Sequence, residues 1–200
     1  MKLDEPWARI TAWLTVNAPV SAAQIRPPAP TAELADARAA FDRPWPDDLV
    51  RLYELCDGSS DATRDGARLL ALMVVVPLDY MLQARQTNLE VAAEFPPDPN
   101  DESEEASTTA EPHDVWTWSS RMVPFAEDVG GDGLFVDLRD GPAFGSVGRW
   151  LHADNRTAAV WPSLTALFVE VADALQNGTA WDRWWHPFVN EEGRLDWDPS

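Results

Sequence analysis

The chain has 200 residues, 45% of them hydrophobic and 24% charged, which is enough to bury one core and too little to fill two. Its 34 acidic against 15 basic residues leave a formal net charge of −19, a field that repels phosphate backbones and disfavours nucleic acid as a partner. A lone cysteine, Cys56, rules out an internal disulfide and a Cys-rich zinc site, and no apolar run reaches the roughly 20 residues that span a bilayer.

The opening MKLDEPWARITAWL carries charges and tryptophans where a secretory leader needs an unbroken apolar stretch, so the expected address is the cytoplasm, with no membrane partner. Asp4 is placed to cap a first helix with Trp7, Ile10, Trp13 and Leu14 near one face, ended by Asn17-Ala18-Pro19. After a stiff connector, Pro27-Pro28-Ala29-Pro30, Thr31 is placed to cap a second helix carrying Leu34, Ala37 and Phe41. A third begins near Pro46, with Asp47 and Asp48 where the helix dipole favours acids. It buries Leu49, Leu52, Tyr53 and Cys56 and stops at Gly58.

Leu69 to Val76 is a dense apolar run closed by Pro77 and reads as a strand buried on both faces. Helical spacing resumes from Leu78 through Met81, Leu82, Arg85, Leu89 and Ala92. Residues 96–112 contain four prolines, six acids and no base or large apolar group, so they are expected to form a mobile surface loop. Short strands are expected around Val115 to Trp118, Met122 to Phe125, Leu134 to Leu138, Val147 to Leu151 and Ala158 to Trp161, close enough in sequence for an antiparallel sheet. Ser163 is placed to cap a last helix with Leu164, Leu167, Phe168, Val171 and Leu175 on one face, and Gly178 to end it. The tail, 179–200, is rich in aromatics. The order helices, strands, helix predicts a single α+β domain over 1–200, its antiparallel sheet flanked by the N-terminal helices and a C-terminal one.

Two segments carry a family resemblance. Arg26 to Gly58, RPPAPTAELADARAAFDRPWPDDLVRLYELCDG, resembles the opening of the SUKH superfamily: a proline pair, an amphipathic helix, a Leu-Pro before an acidic helix start, and a closing Asp-Gly. Here the Leu-Pro position reads Trp45-Pro46, a departure. Val123 to Leu138, VPFAEDVGGDGLFVDL, is similar to the family's proline strand, acidic pair, Gly-Gly-Asp and apolar strand ending in Asp-Leu; Gly145 and Val147 follow in the same pattern. The resemblance runs from about residue 7 to residue 178. The superfamily includes fungal cell-wall assembly regulators and bacterial immunity proteins against polymorphic toxins. The resemblance therefore implies a module that binds another protein, either to block a toxin domain or as a regulatory scaffold.

The residues themselves argue for little chemistry. Glu127, Asp128, Asp132 and Asp137 lack the ligand alternation and closing Glu of a calcium loop. Acids accepting bonds from loop amides, in a hairpin whose Gly130, Gly131 and Gly133 allow positive φ, are the expected arrangement. Ser146 lies in no nucleophile elbow, Cys56 lies on an apolar face, and His113, His152 and His186 have no metal-ligand spacing. No catalytic residue, metal or cofactor is expected. The competing class is a hydrolase using a carboxylate pair, which would require a concave site with perturbed acids. For a binding module the expected partner is a basic protein, such as a toxin domain, met by Asp128 and Asp132 at the hairpin, exposed carboxylates at Asp57 and Asp61, and Trp185 as an apolar anchor.

Overall fold

The protein's structure is a computed structural model that describes residues 2–60, 66–94, 118–152 and 156–199, and for 156–158 the backbone alone. The acidic segment 96–112, Asp61, His113 and most of the strand expected around Val115 lie outside the described residues.

Four helices come first: α1 (Asp4–Asn17), α2 (Pro19–Ala23), α3 (Thr31–Ala39) and α4 (Asp47–Leu55). Neither Asp4 nor Thr31 acts as the cap; Leu3 and Pro30 hold those positions, without side-chain bonds. Asp4 lies in the first turn and pairs with Arg51 of α4 instead. Strand β1 (Val74–Val75) and helix α5 (Leu78–Glu94) follow. The strand expected over Leu69 to Val76 is thus confined to two residues. A bridge between Leu70 and Met73 folds the preceding chain into a tight turn in which Ala71 takes φ 57°. Leu69, Leu70 and Ala71 are still buried. An unbroken apolar run has no periodicity to separate a bent segment from a strand.

Strands β2 (Met122–Glu127), β3 (Gly133–Asp137), β4 (Val147–Leu151) and β5 (Arg156–Trp161) join β1 in an antiparallel meander, ordered β1-β2-β3-β4-β5. Strand alternation divides their side chains between two packed faces. On one face Val123, Phe125, Leu134 and Val136 meet the main core, which takes in Ile10 and Leu14 of α1 together with Leu167, Phe168 and Val171. On the other, Met122 and Phe135 pack with Trp118, Trp150 and with Leu89 and Ala92 of α5. Helices on both faces explain why β2 and β3 read as almost continuous apolar runs.

Helix α6 (Leu164–Asn177) behaves as its sequence dictates. The Ser163 hydroxyl accepts from the Ala166 amide at 3.1 Å, seven side chains are buried, and Gly178 ends it in the left-handed conformation at φ 63°. Each fully buried large apolar side chain contributes about 1.5–3 kcal/mol, so this helix and α1, packed against it, anchor the domain. The aromatic tail forms a hairpin, β6 (Trp185–Val189) and β7 (Leu195–Pro199). It docks on the helical side: the Leu195 amide donates to Ser21 Oγ at 2.9 Å, and Trp197 Nε1 donates to the Arg68 carbonyl at 2.8 Å.

Candidate functional site

Between β2 and β3 the chain reverses through Asp128 to Asp132. The Asp128 amide donates to the Asp132 carbonyl at 2.8 Å, closing the turn. Asp128 Oδ1 accepts from the amides of Gly130 at 2.7 Å and Asp132 at 3.0 Å. Asp132 Oδ1 accepts from the His152 amide at 2.8 Å and so ties this turn to the end of β4. Gly131 is needed as glycine: at φ 88° a Cβ would approach the His152 ring at 3.2 Å. The two aspartates hold a rigid turn, as expected of acids facing loop amides, and the turn presents Val129 with 63% of its surface exposed.

The remaining acids of the sequence cluster go elsewhere. Asp137, at the far end of β3, is buried with Arg139. Glu127 is half-buried and accepts from the Tyr80 hydroxyl; burial pushes its carboxyl up, against the lowering effect of that bond. Burial, with the Glu127 charge adding to it, pushes the Tyr80 hydroxyl up to about 12. Among the described residues no three His, Cys, Asp or Glu side chains converge as metal ligands.

The Glu127 shift fixes the sign of a pH effect. A carboxyl held above its unfolded value favours folding at low pH. That contribution is lost as pH rises from the ordinary carboxylate range through the folded pKa. Glu127→Gln keeps the acceptor for Tyr80 and is expected to raise stability at neutral pH and to flatten this part of the pH profile. Denaturant melts of both proteins at acidic and neutral pH check it; an unchanged or lower neutral stability would contradict it.

Leu72 belongs to the same end of the sheet. The register that pairs Val74 with Glu127 carries the preceding turn beyond the strand end, alongside the β2–β3 turn. There Leu72 is 43% exposed while its neighbour Ala71, in the left-handed conformation, is buried. This end of the sheet thus displays two aliphatic side chains on two fixed turns, with Glu127, Asp128 and Asp132 beside one of them.

The expected exposure of Asp57 is corrected, and the setting of Trp185 is now defined. Asp57 is not an exposed carboxylate: it is 4% exposed, Oδ2 pairs with Arg26 at 2.6 Å, and Oδ1 accepts from the Leu78 amide at 2.9 Å. It caps α5 from 21 residues away, a role that local pattern does not signal. Trp185 is half-buried and packs on the core, whereas Trp184 is 62% exposed. Trp184 lies in the tight turn that precedes β6, whereas Trp185 is the first residue of that strand, so the two neighbours are placed by different backbone conformations.

The other groups weighed for chemistry are withdrawn from solvent or isolated. Burial pushes the Cys56 thiol up to about 12, which leaves it protonated near neutrality and a poor nucleophile. Ser146 Oγ is buried and has no hydrogen-bond partner among the described residues.

Among the described residues no helix is long and apolar enough to cross a membrane. A search of curated proteins finds none that matches the chain. A family model described as SMI1 / KNR4 family (SUKH-1) matches residues 28–170, well over half of it.

Proposed function

The chain belongs to the SMI1 / KNR4 family (SUKH-1), and from that premise we propose that it is a non-catalytic module that binds another protein. In the immunity form of this reading it covers the working surface of a basic toxin domain in the cytoplasm. In the regulatory form it serves as a scaffold. The observation that carries it is the sheet end bearing Val129 and Leu72. Exposed aliphatic side chains on rigid turns lose little entropy when they dock, and carboxylates beside them suit a cationic rim. A net charge of −19 speeds encounter with a basic partner, and contact with Val129 and Leu72 then slows release.

The test uses the partner that co-purifies with the chain from its own cells. Association should slow and weaken as salt rises, because screening shortens the reach of the field from about 30 Å at 0.01 M to about 3 Å at 1 M ionic strength. Asp128→Asn with Asp132→Asn keeps the side-chain oxygens that accept from the turn amides while removing both charges. That pair should lower the association rate more than it raises dissociation. Val129→Ser should do the reverse. An acidic partner, or binding unchanged between low and high salt, would overturn the electrostatic mechanism.

A further inference from the structure

The carboxyl of Glu127 stands apart from the other acids of the sheet end. Asp128 and Asp132 each hold backbone amides within the turn. Glu127 closes β2, one residue before Asp128, and accepts from a neutral donor, the Tyr80 hydroxyl of α5. The charged or titratable groups around it are few. Asp128 repels it from the turn, and His152, at the end of β4, favours its charge. Its register neighbours, Val74 of β1 and Gly133 of β3, are uncharged, and so are Ala84 and Asn88, with which α5 lines the same small cavity. Among the described residues no lysine or arginine pairs with it.

A half-buried carboxyl without a cation is costly to ionise. Burial pushes it up most strongly, Asp128 adds to the rise, and the Tyr80 bond offsets only part of it. A structural role calls for no charge here, since glutamine would accept the same bond without that cost. Ionisable groups whose surroundings oppose their charge gather at functional surfaces, where a ligand supplies the compensating charge. Glu127 keeps part of its surface open to solvent beside Val129, within reach of whatever docks there.

We infer that Glu127 is the receptor for a cationic side chain, lysine or arginine, of the partner that docks on Val129 and Leu72. This rests on the reading of the sheet end as the partner surface and divides its carboxylates by task. Asp128 and Asp132, held in the turn, attract from the rim and act on association. Glu127, less hydrated, forms the pair that holds the complex and acts on dissociation. Only the ionised carboxyl forms that pair, and the cation lowers its pKa on binding. Affinity is therefore full above the free-state pKa and is lost as pH falls through it. Because burial holds that pKa up, the loss begins above the ordinary carboxylate range.

The test follows the association and dissociation rates of the purified partner, the protein that co-purifies from the chain's own cells, from neutral pH down to the carboxylate range. Glu127→Gln should weaken binding by about thirtyfold or more at neutral pH, chiefly through faster dissociation, while folding stability rises. A chain that is more stable yet binds worse separates a receptor from a structural group. The natural complex should dissociate faster as pH falls, and Glu127→Gln should flatten that profile. His152→Gln, which removes the neighbouring imidazole, should leave the acid loss in place, and Tyr80→Phe should move it to higher pH. By carbon NMR, Glu127 should titrate at lower pH in the complex than in the free chain. If Val129→Ser and the double substitution Asp128→Asn with Asp132→Asn weaken binding but Glu127→Gln does not, this inference is overturned and the partner surface stands. If none of the three weakens it, the surface itself is wrong and the inference falls with it. Identical titration of Glu127 in the free chain and in the complex also overturns it.

Discussion

Alanine at position 137 is expected to cost about 3–5 kcal/mol of stability, the range for removing one member of a buried ion pair. Asp137 and Arg139 are each 2% exposed, and Arg139 heads the fully buried side chains by volume. Asp137 Oδ1 accepts from the backbone amide of Arg139 at 2.9 Å and from its Nε at 3.0 Å, while Oδ2 accepts from Nη2 at 2.5 Å. The same residue anchors the loop from β3 to β4: its amide donates to the Ser146 carbonyl and its carbonyl accepts from Gly145. Removing the carboxylate would leave a guanidinium in the interior without this counter-charge. Replacing both residues by apolar ones, Asp137→Leu with Arg139→Met, should cost less than Asp137→Ala alone, because the guanidinium is then removed together with the carboxylate that faces it. Urea unfolding of the three proteins reads this directly. A loss under about 1 kcal/mol for Asp137→Ala, the scale of an exposed pair, would contradict the assignment.

Gly58→Ala should be comparably damaging, for a reason of space. Gly58 has φ 71°, and a Cβ there would lie 2.5 Å from the Val76 carbonyl carbon and 2.7 Å from the Pro77 nitrogen. Both are backbone atoms with no rotamer to yield. The left-handed conformation costs a β-carbon about 1–2 kcal/mol, and overpacking adds about 1–3 kcal/mol. The displaced segment also leads into α5, whose first amide is held by the neighbouring Asp57. Gly178 is the internal control: its φ is 63°, but nothing among the described residues lies within 4 Å of its would-be Cβ. Gly178→Ala should therefore show the conformational cost alone. Thermal melts in which the two substitutions cost the same would show that the contact with Val76 and Pro77 yields.

Several features are legible in the amino-acid sequence because they are local. Ser163 and Gly178 bound α6 through bonds made within a turn, and the apolar spacing from Leu164 to Leu175 demands one buried face whatever covers it. The Gly-Asp segment reads as a hairpin because only a few residue types tolerate its angles, and the segments around it match one family in order. Composition alone limits the partners, since −19 is a property of the whole chain.

Tertiary structure decided what depends on distant neighbours. Whether Asp57 faces water or Arg26 and Leu78 is set by how α4 meets α5, and no nearby residue announces it. Which of Trp184 and Trp185 is exposed follows from a tight turn that ends where β6 begins, and the tail's aromatics do not announce where that turn falls. The apolar run before Pro77 bends at Ala71 and turns Leu72 outward, and an unbroken apolar run has no periodicity that would have separated strand from turn. Short-range hydrogen bonds and apolar spacing are written in the chain itself, whereas burial of a charge or an indole is a relation between segments that only packing brings together.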